Sequence, residues 1–163
     1  MKERIHIVLG LLTLLVLGLS AGSMLGEQQT LVPFWKELST EAFYTWYSSN
    51  SLRLKGFFAP MQISGAVLAL IVAVTFYIQG RSGKVWMGLS ACFALGVLVL
   101  FFLFFKETNA GFVARSFSSE QLPLVLEQWS TWQWTRIGFG TVAFIAALMG
   151  FYQAKNSLSV EAS

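Results

Sequence analysis

The residues most able to do chemistry in this chain of 163 residues lie in one string, Trp129-Ser130-Thr131-Trp132-Gln133-Trp134-Thr135-Arg136. On a helix, Trp129, Trp132, Gln133 and Arg136 share one face. That face continues as Gly140, Ala143 and Ala147, all small, whereas Ile137, Phe144, Leu148 and Phe151 on the other side suit lipid. The small face is expected to turn into a helix bundle and to carry Arg136 with it. Arg136 falls about one turn inside an apolar run, where an ionised side chain costs a few kcal/mol or more unless it is paired or hydrated. Two readings follow: a functional buried cation, or an arginine that snorkels to headgroup phosphates. The tryptophans by themselves read first as a membrane-interface belt.

The same reading of faces brings further residues toward Arg136. Gln62 aligns with Gly65, Ala69 and Ala73, which points it inward near the outer end of its helix. Lys106 and Asn109 follow the run Phe101-Phe102-Leu103-Phe104-Phe105. The outer helix ends would then gather Gln62, Lys106, Asn109, Trp129, Trp132, Gln133 and Arg136, with Glu27 or Glu127 as counter-charge. Such a cationic, aromatic-lined pocket favours a planar, acidic or phenolic molecule, held by stacking and charge. No general base stands out, and Glu127 or Glu120 would have to serve.

These residues must be positioned by four apolar stretches at about 5–25, 59–79, 85–105 and 133–152. Each is close to the roughly 20 residues that a helix needs to cross a hydrocarbon core. Composition agrees: 55% hydrophobic, 12% charged and a mean hydropathy of +0.63, against about 25% charged in a soluble domain. The expected fold is all-α, a polytopic four-helix membrane bundle forming one domain over 1–163. Its first partner is the lipid bilayer, which suits the net charge of +3. The basic residues are scattered rather than striped, so nucleic acid is not expected. With one histidine (His6), one cysteine (Cys92) and no aspartate, no zinc or haem site of ordinary composition can be built. No metal or cofactor is therefore expected.

The first stretch also resembles a secretory leader, since basic Met1–Arg4 precedes it and Ser20, Ala21 and Gly22 follow. The run is long enough to span, however, and Gly18, Gly22 and Gly26 form a ridge that lets another helix approach closely. A retained helix is expected. Gly88, Cys92 and Gly96 form a second ridge, with Cys92 read as a buried small residue. These small faces could also dock a second copy or a membrane partner. Lys2, Arg4, Arg81 and Lys84 crowd against the spans on one side, which places both termini in the cytoplasm, of a bacterial inner membrane.

Between the first two spans, Glu27–Phe58 is too long for a turn. Ser39-Thr40-Glu41 can open a short helix carrying Phe43, Tyr44, Trp46 and Tyr47. It is expected to lie in the headgroup layer as a belt, or to form a lid over the pocket. Pro60 fits the first turn of the second span. Ser118 with Gln121 fits a capping box, so a helix is expected to start near Ser119 and run through the fourth span.

The order of features resembles the small four-helix membrane family named for anthrone oxygenase: Gly18 and Gly22 in the first helix, Pro60 near the second, Asn109 after the third, and Trp129-x-x-Trp132-x-x-x-Arg136 opening the fourth. Lys106-Glu107-Thr108 stands where that pattern has a proline. The resemblance implies oxygenation of an electron-rich aromatic carbanion without metal or flavin. Arg136 would stabilise an enolate or phenolate, with Asn109 and Gln133 orienting it. Beside this enzyme stand two other classes, a non-enzymatic accessory subunit of a membrane complex and a carrier of hydrophobic solutes. The carrier is the weakest, for want of an inverted repeat or a helix broken mid-membrane.

Overall fold

A computed structural model describes the backbone from Lys2 to Glu161 and the side chains from Ile7 to Ser157. The basic Met1–Arg4 segment and His6 lie outside the described side chains. Helix α1 (Lys2–Gly26) passes through a π-helical stretch, Glu27–Leu31, into the short α2 (Val32–Glu37). Extended Leu38 (φ −76°, ψ 145°) ends α2. Ser39 then caps α3 (Thr40–Ile78), accepting from Ala42 N at 3.3 Å. Gly80 and Gly83 make the next turn with φ of +62° and +87°, values that suit glycine. Helix α4 (Lys84–Leu100) continues through a second π-helical stretch, Phe101–Phe105, into α5 (Lys106–Val113). A loop leads to α6 (Gln121–Glu161). The capping box forms as read: Ser118 N donates to Gln121 Oε1 and Gln121 N to Ser118 Oγ, at 3.0 and 3.2 Å.

The four rods pack as an up-and-down bundle in which α3 and α6 each touch both α1 and α4. Four helices, Ile7–Glu37, Thr40–Ile78, Lys84–Val113 and Gln121–Ser157, are long and apolar enough to cross a membrane. Their outward sides are leucine, isoleucine, valine and phenylalanine, such as Leu15, Ile63, Val99 and Leu103. The core has two layers. Between the helix middles it is built of small side chains, chiefly Ala66, Ala69, Ala91, Ala94, Ala143 and Ala147. At the end away from the α3–α4 turn it is aromatic, with Trp35, Phe43, Tyr44, Tyr47, Phe105, Phe112 and Trp129 buried together.

Several expectations are corrected. Residues 40–58 do not form a separate interfacial helix; they are the first half of α3, and Pro60 lies inside that helix rather than at its start. At ~1.5 Å per residue, the 39 residues of α3 exceed a hydrocarbon core of ~30 Å, so the first half needs its own core. Phe43, Tyr44 and Tyr47 supply it, buried on Trp35 and Phe112 instead of forming a belt or a lid. Cys92 is exposed and Gly88 is exposed with it. α4 turns inward the face of Met87, Ser90, Ala91 and Ala94, where Ser90 Oγ donates to Ala143 O at 2.7 Å. Of the ridge Gly18, Gly22 and Gly26 on α1, Gly18 meets the Phe144 ring, while Gly22 and Gly26 face open space. Ile137 is buried on Met24 and Val97, Phe144 is half-buried, and Phe151 packs on Phe76. Helix α6 touches both α1 and α4, so its buried arc is wider than the small stripe alone.

Candidate functional site

The polar face read on α6 is buried at the seam between the two layers. Gln133 has no exposed surface and Arg136 is 5% exposed. Arg136 does not snorkel. Its Nη1 donates to Gln133 Oε1 at 3.1 Å and its Nη2 to Gln62 Oε1 at 2.8 Å. The Phe105 ring lies under the guanidinium, 4.2 Å from Cζ to centroid, a cation–π contact that is stronger when desolvated. Gln133 turns its other end away: Nε2 donates to Glu27 Oε2 at 2.8 Å and to Met24 O at 3.2 Å. One amide thus stands between an acid and a cation. The ion pairs among the described residues are Lys36–Glu127, Lys106–Glu107 and Arg115–Glu41; Glu27 and Arg136 meet only through Gln133.

The elements explain this convergence. Thr13, Leu17, Ser20 and Met24 on α1, with Glu27 just after it, form one buried face with helical spacing. The π-helical stretch begins at Glu27 and buries both Glu27 and Gln28, and Gln28 Nε2 donates to Ser130 Oγ at 2.7 Å. The second π-helical stretch ends at Phe105, the ring beneath Arg136. Such insertions often mark functional places in a helix. Here both lie at the level of the polar cluster, and each presents one residue to it.

Gln62, Gln133 and Arg136 are brought together as read. Trp129 is buried above them, edge-on to Trp35 and Phe105, and its Nε1 donates to Asn109 Oδ1 at 3.0 Å. Asn109 is therefore tied to the site through Trp129 and not directly to Arg136. Trp132 is half-buried, stacked on Phe104 at 5.2 Å and 13°. Lys106 is not part of the cluster: its side chain is exposed and its partner is Glu107, at 3.9 Å. Glu127 pairs with Lys36 at 2.9 Å and Glu120 is exposed, so neither serves as the acid of this site. Among the described residues the buried carboxylate is Glu27. Of the two counter-charges expected from the sequence, Glu27 and Glu127, it is Glu27 that lies at the site, seven residues after Ser20 and three after Met24 on that face. Phe105 and Trp35 were missed because an aromatic residue near a membrane boundary carries no signal that distinguishes it from its neighbours.

A larger open cleft of about 390 Å³ lies at the opposite end, lined by Gly80–Trp86 and Gln153. None of the site residues lines it. No protein-family model, no curated protein and no solved structure matches this chain.

Proposed function

We propose that this protein sits in a membrane, with both termini on the cytoplasmic side of a bacterial inner membrane and the aromatic layer at the outer face. There it binds a lipophilic aromatic molecule that carries an acidic or enolisable oxygen. The observation that carries this reading is the buried guanidinium held by two amide oxygens and one ring, with no carboxylate paired to it directly. An ionised arginine at that depth is expensive unless an anion or water completes its shell. A phenolate or enolate oxygen fits that demand, with the Phe105 ring already against the guanidinium.

The same arrangement is suited to oxygenation of the bound molecule without a cofactor. Glu27 takes a proton from an activated methylene carbon, Arg136 holds the resulting enolate, and dioxygen adds at that carbon, the proton returning from Glu27 to the peroxide oxygen. Loss of water from the hydroperoxide, which takes the carbon's second hydrogen, then leaves a carbonyl group. Gln133 couples acid and cation in this scheme, while Asn109 positions Trp129. These roles follow the family resemblance in their chemistry, with Glu27 replacing Glu127 and Glu120 as the base.

The test is native mass spectrometry of the full chain in detergent beside Arg136→Leu and Arg136→Lys. A small molecule retained by the wild type and lost from both variants supports the site; Arg136→Lys keeps the charge but not the two-armed grip. Oxygen consumption with an added hydroxylated aromatic ketone then tests turnover. An empty wild type that consumes no oxygen overturns the reading. A second reading, an accessory subunit, is favoured by Gly22 and Gly26, which stand on the outer side of α1 with open space around them. It predicts a partner protein retained by Arg136→Leu and lost on Gly22→Leu.

A further inference from the structure

Gln62 is bonded at one end only. Its Oε1 accepts from Arg136 at 2.8 Å, while its Nε2 is buried without a hydrogen-bond partner, a state that is destabilising when nothing completes it. Gln62 also lines a small cavity of about 10 Å³ at the centre of the bundle. All four rods close this cavity: Ser20 from α1, Gly65 from α3, Ala94 from α4, and Gly140 and Ala143 from α6. The volume is near the lower bound for one water molecule, and a water also requires polar partners. Two are present, the Gln62 amide and the hydroxyl of Ser20, which is itself 7% exposed.

We infer that this cavity is a binding site for a single internal water, which accepts from Gln62 Nε2 and shares a hydrogen bond with Ser20. Its role is to orient the amide. The carboxamide of Gln62 has two orientations, and only one presents its oxygen to the guanidinium. The other aims an NH2 group at a cation, donor against donor. An acceptor beneath Nε2 holds the first orientation, so the water acts on Arg136 through Gln62 as a positioning element. The small residues around it acquire a reason beyond close helix approach: larger side chains at Gly65, Ala94 or Ala143 would fill the space. The inference does not depend on what molecule, if any, Arg136 binds.

The experiment is NMR of the full chain in lipid nanodiscs, reading cross-relaxation between bulk-labelled water and the Gln62 side-chain amide. The expected result is a cross-peak with the sign of a long-lived water at Gln62 Nε2 in the wild type, lost in Gly65→Ala. A Cβ on Gly65 meets Leu17 Cδ2 and Val16 Cγ1 at 3.4 and 3.5 Å, ordinary contacts, so that variant keeps its fold. Ser20→Ala, which removes one partner without adding bulk, weakens the cross-peak and shifts the Gln62 amide resonances. A resolved Gln62 amide with no water cross-peak overturns the inference. So does a cross-peak of unchanged intensity in both variants.

Discussion

At the scale of the residue, Gln133 is the most consequential side chain after Arg136, because its two ends face opposite demands. Its oxygen serves a cation and its nitrogen serves a carboxylate. Gln133→Leu leaves both charged groups short of a partner in a buried place, and about 2–4 kcal/mol of stability is expected to go. Gln133→Glu instead pairs directly with Arg136 while facing Glu27 with a like charge. It is expected to unfold near the wild-type temperature in detergent and to retain no acidic ligand, since the cation is now neutralised. Thermal unfolding and ligand retention measured on both variants check this pair of outcomes. Gln133→Glu that still retains an anionic ligand would show that Arg136 is not the group that holds it. The face bearing Gln133 and Arg136 was legible because α6 is uninterrupted there, so a period of 3.6 extrapolates truly. Lys106 was not legible for the converse reason. It follows directly on the π-helical Phe101–Phe105, where the extra residue shifts the register of everything after it.

Among the elements, the helix ends separate what composition shows from what packing decides. Pro60 signals a helix start, yet it sits in the middle of α3. Its ring displaces a backbone bond to residue 56, which is a glycine in open space, so that turn has room to adjust. The rest of the helix is held by tertiary packing on Trp35 and Phe112, which no local propensity reports. The correction has a measurable consequence. Pro60→Ala is expected to raise the unfolding temperature, because an interior proline is a poor helix former by ~3 kcal/mol relative to alanine. A proline at a first turn would give no such gain. Turn glycines behave differently again. Gly83 has φ of +87° and stands against the backbone of Gly150, so Gly83→Ala is expected to cost about 1–3 kcal/mol. Gly88→Ala, with open space around it, is expected to change the unfolding temperature little. The sequence treated Gly88 as a packing residue; the choice of inward face on α4 was settled by Ser90 reaching the Ala143 carbonyl.

For the whole molecule, the two-layer core sets how the polar site must lie relative to the membrane. The small-residue layer is girdled by lipid-compatible side chains, while the aromatic layer carries charges on its surface, among them Lys36, Glu41, Arg115 and Glu127. On the proposed membrane placement, the seam holding Glu27, Gln133 and Arg136 would coincide with the boundary of the hydrocarbon, where a ligand arriving from the bilayer would meet a charge. The proposed direction of that axis rests on Arg81 in the short turn between α3 and α4 and on Lys84 at the start of α4, which the positive-inside tendency would keep in the cytoplasm. Single-cysteine labelling checks it. Cys92 is first replaced by alanine, and then Ser82→Cys and Ser119→Cys, both at exposed positions on opposite ends, are treated with a membrane-impermeant maleimide in intact cells. Ser119→Cys is expected to label at once, and Ser82→Cys only after the membrane is permeabilised. The reverse pattern would turn the aromatic layer toward the cytoplasm. Any substrate would then have to be sought among molecules made or held on that side.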